Sequence, residues 1–267
     1  MDDKGSDIWP HKYNLFGVDV SATTYDEALV AVTRAAKAGR SACVTHLAVH
    51  GLIEANQDLY FRSMLNGFDT VAPDGMPVKV ALNLLYKTDL SHNVRGSELM
   101  SRLCERAAAE GIGVFLYGSH RHVVDALRKN LIGWYPGRRI VGCEPSVFRP
   151  MTEAEEETLV QCINDSGAGL VFLGLGCPLQ ERFAYEHKGR IKAVQICVGA
   201  AFDFLSGSKS MAPVWIQRCS LEWLFRLSQE PWRLWRRYLV TNTIFLSKLL
   251  LQLSGLKKYT RPILDKR

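Results

Sequence analysis

Short apolar runs alternate with amphipathic stretches along most of the chain. Residues 41–45, 68–72, 114–117, 139–142, 170–173 and 193–198 each read as a strand, buried where the run is continuously apolar. Between them apolar positions recur at helical spacing. Thr24-Tyr25-Asp26-Glu27 and Thr152-Glu153-Ala154-Glu155 are capping boxes, in which hydroxyl and carboxylate satisfy the first free amides. Helices run from them to a stop at Gly39 and to Asn164. Further helical patterns carry Val49, Leu52 and Ile53, residues 59–65, and Val78, Val80, Ala81, Leu84 and Leu85. Arg95-Gly96-Ser97 opens another, with Leu99, Met100, Leu103 and Ala107 on one face and Gly111 as its stop, and one more spans 121–131. Residues 13–21 alternate weakly and predict a strand or hairpin near the sheet edge. The alternation predicts an α/β fold with a mostly parallel, Rossmann-like sheet and helices on both faces.

Several strand-to-helix turns hold the polar chemistry. Open sheets of this class bind ligands at the carboxyl ends of their strands. Asp74 stands there, in Val71-Ala72-Pro73-Asp74-Gly75-Met76, and Gly75 permits a tight turn and close approach of a ligand. Alone, the hexapeptide is equally turn chemistry. Gly118 follows the 114–117 strand and serves either as a plain turn or as a phosphate cradle on free helix amides. Gly174-Leu175-Gly176-Cys177-Pro178-Leu179-Gln180-Glu181 turns the chain again, and Gln180 and Glu181 fall near the first turn of the next helix. The turns after Thr45, Asp74, Gly118 and Gly174 can all open on one edge.

Composition divides the chain. It has 267 residues, 47% hydrophobic and 22% charged, enough for a full core. Of the net charge of +6, residues 209–267 carry twelve basic and three acidic side chains, and the rest is mildly acidic. This predicts a flexible leader at 1–12, an α/β core at 13–208 and a basic, aromatic helical appendage at 209–267. Four of the six tryptophans, Trp215, Trp223, Trp232 and Trp235, lie there among Arg218, Arg226, Arg233, Arg236 and Arg237. Residues 239–253 are too short and too polar for a membrane span. An interfacial membrane face and a basic lid on the core both fit; a nucleic-acid surface fits less well, and no nucleic-acid partner is expected. A neighbouring subunit covering the tail is left open. The seven cysteines show no Cys-x-x-Cys spacing and favour a reducing compartment. The first residues show no basic-then-apolar pattern, so no secretory signal is expected.

Taken together, the motifs resemble the WecG/TagA/CpsF family of bacterial glycosyltransferases. The resemblance spans residues 15–246. It rests on Ala72-Pro73-Asp74-Gly75-Met76, Arg95-Gly96-Ser97-Glu98-Leu99, the segment from Gly174 to Glu181, Val198-Gly199-Ala200-Ala201-Phe202-Asp203-Phe204, Ala212-Pro213, Leu221-Glu222-Trp223-Leu224-Phe225-Arg226-Leu227 and the segment from Glu230 to Tyr238. It implies a GT-E-like arrangement and an inverting transfer from a UDP-sugar to a polyprenyl-diphosphate-linked sugar, for a cell-envelope polysaccharide or exopolysaccharide. The enzyme would be peripheral on the cytoplasmic face of the membrane. Asp74 would be the general base. Thr45, Arg95, Gly118, Gly176 and Gln180 would line the substrate site, and Arg226, Arg233, Arg236 and Arg237 would reach the diphosphate.

The chain has no Asp-x-Asp pair for a divalent metal, so metal independence is expected, with no cofactor. Thr45-His46-Leu47 departs from the family's usual Thr-Pro-Asn or Thr-Leu-Asn, and Leu47 lacks the hydrogen bonds an Asn could give a sugar. His50 matches a histidine found in part of the family. His120 and His122 are either phosphate contacts or solvated loop residues. Two rivals remain. A non-catalytic surface protein could hold the lipid-linked sugar, and an NAD-dependent dehydrogenase could share the architecture. The missing Gly-x-Gly-x-x-Gly weighs against the latter.

Overall fold

Six strands pair in parallel, in the order β4-β3-β8-β7-β5-β6, in a computed structural model that describes residues 8–137, 139–213, 215–216 and 221–260. The side chains of residues 226, 233 and 237 lie outside the description. The strands are β3 (Ala42–Leu47), β4 (Thr70–Pro73), β5 (Gly113–Gly118), β6 (Ile140–Glu144), β7 (Ala168–Gly174) and β8 (Val194–Cys197). A separate antiparallel hairpin, β1 (Lys12–Leu15) and β2 (Val18–Ser21), covers the β4 edge. There the Val71 amide donates to Ser21 Oγ at 3.1 Å. The expected edge hairpin is therefore present, but it joins the sheet through a side chain rather than as an added strand. The leader is partly placed: Ile8 and Trp9 pack against the core, and residues 1–7 are outside the description.

Two hydrophobic cores lie on opposite faces of the sheet, as period-two alternation requires. Val44, Leu116, Phe172 and Ile196 face α1 (Tyr25–Lys37), α5 (Gly96–Glu110), α6 (Arg121–Trp134) and α9 (Ala201–Ser206). Leu47, Tyr117, Leu173 and Cys197 face the other core. That side holds α2 (Val49–Gln57), α3 (Leu59–Asn66), α4 (Met76–Tyr86), α7 (Glu153–Asp165) and α8 (Leu179–Glu186). Both capping boxes form as read, at Thr24 with Glu27 and at Thr152 with Glu155. Pro178 stands at the N-cap of α8, immediately outside the helix.

The C-terminal segment forms α10 (Glu222–Gln229) and α11 (Pro231–Leu253). On α11, Leu234, Phe245 and Leu249 are buried, and Phe16 meets Phe245 edge-on at 5.4 Å. Gln252 pins the far end: Nε2 donates to the Asn14 carbonyl at 2.9 Å, and Oε1 accepts from the Phe16 amide at 3.2 Å. The appendage thus shares the core of the α/β body. Among the described residues, no helix is long and apolar enough to cross a membrane.

Candidate active site

The carboxyl ends of β3, β4, β5, β7 and β8 are tied to one another by backbone bonds. Asp74 N–H donates to the Leu47 carbonyl at 3.1 Å, Ser119 N–H to Gly174 at 2.9 Å, and Val198 N–H to Leu173 at 3.0 Å. The chain turns sharply at these ends. Gly118 has φ +128°, and a Cβ there would lie 2.6 Å from the Gly174 backbone, so only glycine fits this crossing. The rim so formed surrounds a cavity of about 560 Å³. A second cavity, of about 330 Å³, adjoins it.

Asp74 lines both cavities. Its half-buried side chain follows β4 directly, and Gly75, at φ +82°, caps α4 behind it. The larger cavity is polar. The first turns of α5 (Gly96, Ser97) and α8 (Gln180), with the residues just ahead of α6 (Ser119, His120) and α8 (Gly176, Cys177), reach its wall. Helix N-termini present free amides and positive dipole ends, which favour an anionic ligand. Arg95 adds a full charge. Its backbone N–H donates to Tyr25 Oη at 2.9 Å, and its guanidinium pairs with Glu222 of α10. Burial opposes that charge, but the side-chain bond from Arg95 Nε to Tyr25 Oη, at 3.5 Å, and the Glu222 carboxylate outweigh it and raise the pKa, so Arg95 stays cationic.

The smaller cavity is walled half by the body and half by the tail. Val49 and His50 at the start of α2, with Gly75, Met76 and Pro77, form one side. Glu222, Trp223, Leu234, Tyr238, Thr241 and Asn242 form the other. His50 Nε2 lies 3.5 Å from Glu54. Lys209 borders both cavities, 3.3 Å from Asp203 and 3.7 Å from Glu230.

Of the residues expected at the site, Asp74, Arg95, Gly176 and Gln180 line the larger cavity together. Thr45 and Gly118 do not line it. Thr45 is fully buried one layer down, where its hydroxyl donates to Glu181 Oε1 at 2.9 Å. Gly118 lies beneath the rim, and Ser119 takes the lining position. Leu47 also faces away: it packs in the core, 2.9 Å from where a Cβ on Gly51 would lie. Leu47 does not line the cavity, because β3 alternation turns Thr45 and Leu47 to one face and His46 to the other. His120 lines the larger cavity, stacked on Phe148 at 4.1 Å, whereas His122 does not line it. Arg236 is exposed on α11, and the side chains of Arg226, Arg233 and Arg237 lie outside the described residues.

Sequence reasoning missed His46, Glu222 and Tyr238 as wall residues and did not foresee the burial of Glu181. Glu181 is 1% exposed, and its Oε1 accepts from Gln180 Nε2 at 2.9 Å as well as from Thr45. Burial raises its pKa, with the Gln180 and Thr45 bonds pulling the other way. Thr45 and Glu181 therefore act under the floor, fixing Gln180. The period-two pattern of β3 was the available signal for His46.

Residues 13–259 match the family described as "Glycosyl transferase WecG/TagA/CpsF family". A relative from Bacillus subtilis (strain 168) is 30% identical over 186 residues, 69% of this chain and 70% of its own length. One from Bacillus spizizenii (strain ATCC 23059 / NRRL B-14472 / W23) is 31% identical over 187 residues, 70% of each. Both are named N-acetylglucosaminyldiphosphoundecaprenol N-acetyl-beta-D-mannosaminyltransferase. With the match running from the hairpin to beyond the last helix, the chain belongs to the WecG/TagA/CpsF family and is a glycosyltransferase.

Proposed function

We propose that the protein transfers a sugar, with inversion, from a UDP-sugar to a polyprenyl-diphosphate-linked sugar in cell-envelope or exopolysaccharide synthesis. The observation that carries this reading is the position of Asp74 on the wall shared by the two cavities. Inversion needs a base on the acceptor side and the leaving group on the opposite side of the reacting carbon. A carboxylate between two compartments meets that need: it takes the proton of an acceptor hydroxyl as the hydroxyl oxygen attacks the anomeric carbon.

The larger cavity suits the nucleotide diphosphate. As the bond to the diphosphate breaks, negative charge grows on UDP, and Arg95 and the helix amides stabilise it without rearrangement. This supports a metal-independent transfer. Among the described residues no three His, Cys, Asp or Glu side chains converge as metal ligands. Turnover is expected to be unchanged in excess EDTA, measured against a magnesium-supplemented control.

The smaller cavity suits the acceptor sugar. The two Bacillus relatives are named for action on a diphosphoundecaprenol-linked sugar. Trp232, Trp235, Leu239, Leu246 and Leu250 are exposed along α11, beyond the tail wall of that cavity. Trp and Leu on one stripe beside basic residues suit the headgroup layer of a membrane, which would deliver a lipid-linked substrate to the tail side. The site is accordingly read as peripheral on the inner face of the cell membrane, and loss of sedimentation with anionic liposomes on deleting residues 231–260 tests it. Arg236, with Arg226, Arg233 and Arg237, is assigned to the acceptor diphosphate.

The experiment that tests the reading is a donor screen. The protein is incubated with a short-chain polyprenyl-diphosphate-linked N-acetylglucosamine and a panel of UDP-sugars, and free UDP is measured. Acceptor-dependent UDP release with at least one donor is expected. No release with any of them, alongside acceptor binding, would point to a protein that holds the lipid-linked sugar without transferring it.

A further inference from the structure

His46 is the one imidazole at the end of β3, and nothing in the reading above uses it. Its Nδ1 lies 3.1 Å from the Cys197 carbonyl oxygen. A carbonyl only accepts, so Nδ1 carries the proton and donates. Burial holds the pKa at about 4, with the Cys197 bond pulling it upward, so the ring is neutral at physiological pH. In a neutral ring protonated at Nδ1, Nε2 is a pure acceptor. That Nε2 is buried and has no hydrogen-bond partner among the described residues. An acceptor left so is costly, and such atoms in a native protein call for an explanation.

Two neighbours indicate what the explanation is. His46 lines the larger cavity, and the ring is packed between the β8 end and the first residue of α5. A Cβ on Gly96 would come within 3.4 Å of its Nδ1 and 3.5 Å of the Val198 carbonyl. Arg95 and the α5 amides, the groups suited to a diphosphate, are therefore next to it. On the other side of the β8 end, Gln180 is 5% exposed, lines the same cavity, and its Oε1 is likewise without a partner among the described residues. Its Nε2 donates to Glu181 at 2.9 Å, and its Oε1 lies 3.3 Å from where a Cβ on Gly199 of the cavity wall would be. Two buried acceptors with nothing to accept thus flank one strand end, beside the phosphate-binding groups.

We propose that His46 Nε2 is a specificity-determining acceptor for a hydroxyl of the sugar that adjoins the diphosphate in the larger cavity. Gln180 Oε1 takes a second hydroxyl. The inference rests on the donor reading of that cavity. The hydroxyl belongs either to the ribose of UDP or to the transferred sugar. A hydrogen-bonding acceptor that cannot ionise near neutral pH discriminates for an O–H and against an analogue lacking it, because the loss leaves the buried nitrogen unpaired.

The test crosses protein and ligand changes. Dissociation constants for UDP, 2′-deoxy-UDP, 3′-deoxy-UDP and UDP-N-acetylglucosamine are measured by calorimetry with wild type, His46→Leu and His46→Gln. His46→Leu is expected to weaken binding roughly tenfold, the scale of one lost hydrogen bond, and His46→Gln to recover part of it. A ribose contact appears as a loss on removing one ribose hydroxyl from wild-type ligand that is absent in His46→Leu. A contact to the transferred sugar appears as a His46→Leu penalty for UDP-N-acetylglucosamine but not for UDP. Either result supports the inference. Equal affinities of wild type and His46→Leu for every ligand, with UDP still bound, would overturn the inference and leave the donor reading standing. Failure of wild type to bind any of the four would overturn both. An independent readout needs no substitution: in 15N-histidine-labelled wild type, the unprotonated Nε2 resonance of His46 should move upfield on saturation with the ligand it contacts. A resonance unmoved by UDP and by UDP-N-acetylglucosamine would count against the proposal.

Discussion

The two cavities that meet at Asp74 are built in different ways. The larger is walled chiefly by strand ends and the first turns of helices whose positions the sheet dictates. Its walls are tied by backbone bonds from β4 to β3, β5 to β7 and β8 to β7. The smaller borrows half its wall from α10 and α11, which reach the body through side chains: Phe245 on Phe16, Gln252 on the hairpin, and Glu222 on Arg95. The contrast suggests a division of labour. On the proposed reading, fixed backbone amides would hold a ligand whose charge and shape do not change between reactions, and a wall of side chains on a surface helix would meet a ligand arriving from a lipid layer. Arg95 links the two, since it lines the larger cavity while pairing with the tail.

Changes at the junction, the tail and the rim should separate these roles. The largest effect is expected from Asp74→Asn, which removes the proposed base on the wall common to both cavities. Turnover should fall about 10³-fold, within the range for general-base catalysis, with little change in the melting temperature. Wild-type turnover in the donor and acceptor assay would reject the assignment. Phe245→Ala should destabilise the protein by about 3–4 kcal/mol, the cost of emptying a buried aromatic site. In urea unfolding a loss below about 1 kcal/mol would show that the tail adds little to the core. Where the variant is still folded, acceptor affinity should suffer more than UDP affinity.

A third change acts on the rim alone and is read by pH. The unfolded chain protonates His46 near 6.5, whereas in the folded protein burial lowers the pKa to about 4. The folded state is thus fully favoured above pH 6.5 and loses stability as the pH falls from 6.5 to 4. The loss is about 3 kcal/mol at the lower limit by proton linkage. His46→Leu should remove that part of the acid sensitivity in denaturant titrations at pH 7.5, 5.5 and 4.5. An unchanged pH slope would show that His46 is not the buried neutral group described.

How much of this was readable in the sequence follows from what each element depends on. The parallel sheet was legible because its strands are continuous apolar runs, and the helix starts because capping boxes at Thr24 and Thr152 are local chemistry. Asp74 was legible because a turn after a strand is where such a fold exposes side chains, whereas Arg95, Gly176 and Gln180 were expected at the site through the family resemblance. Thr45 was not placed correctly because β3 runs on to Leu47, two residues beyond the apolar run, so Thr45 lies inside the strand rather than at its end. The opposite directions of His46 and Leu47 were not legible for the same reason: side-chain direction depends on register, which composition does not reveal. Glu181 read only as a polar residue of a first turn, and the packing of α8 over β3 shows it buried against Thr45. The tail read as a separate appendage because its charge and tryptophans set it apart. Its attachment depends on Phe245, Leu249 and Gln252, each unremarkable in a helical pattern.

The account turns on donor and acceptor occupying separate compartments on either side of Asp74 at the same time. The direct measurement is acceptor binding to the Asp74→Asn protein, by calorimetry, first alone and then with the UDP-sugar present at saturation. Unimpeded acceptor binding to the donor-loaded protein, with no UDP released, is the predicted result. Displacement of one ligand by the other would contradict it, because a single shared pocket leaves Asp74 no acceptor hydroxyl to deprotonate while the donor is bound.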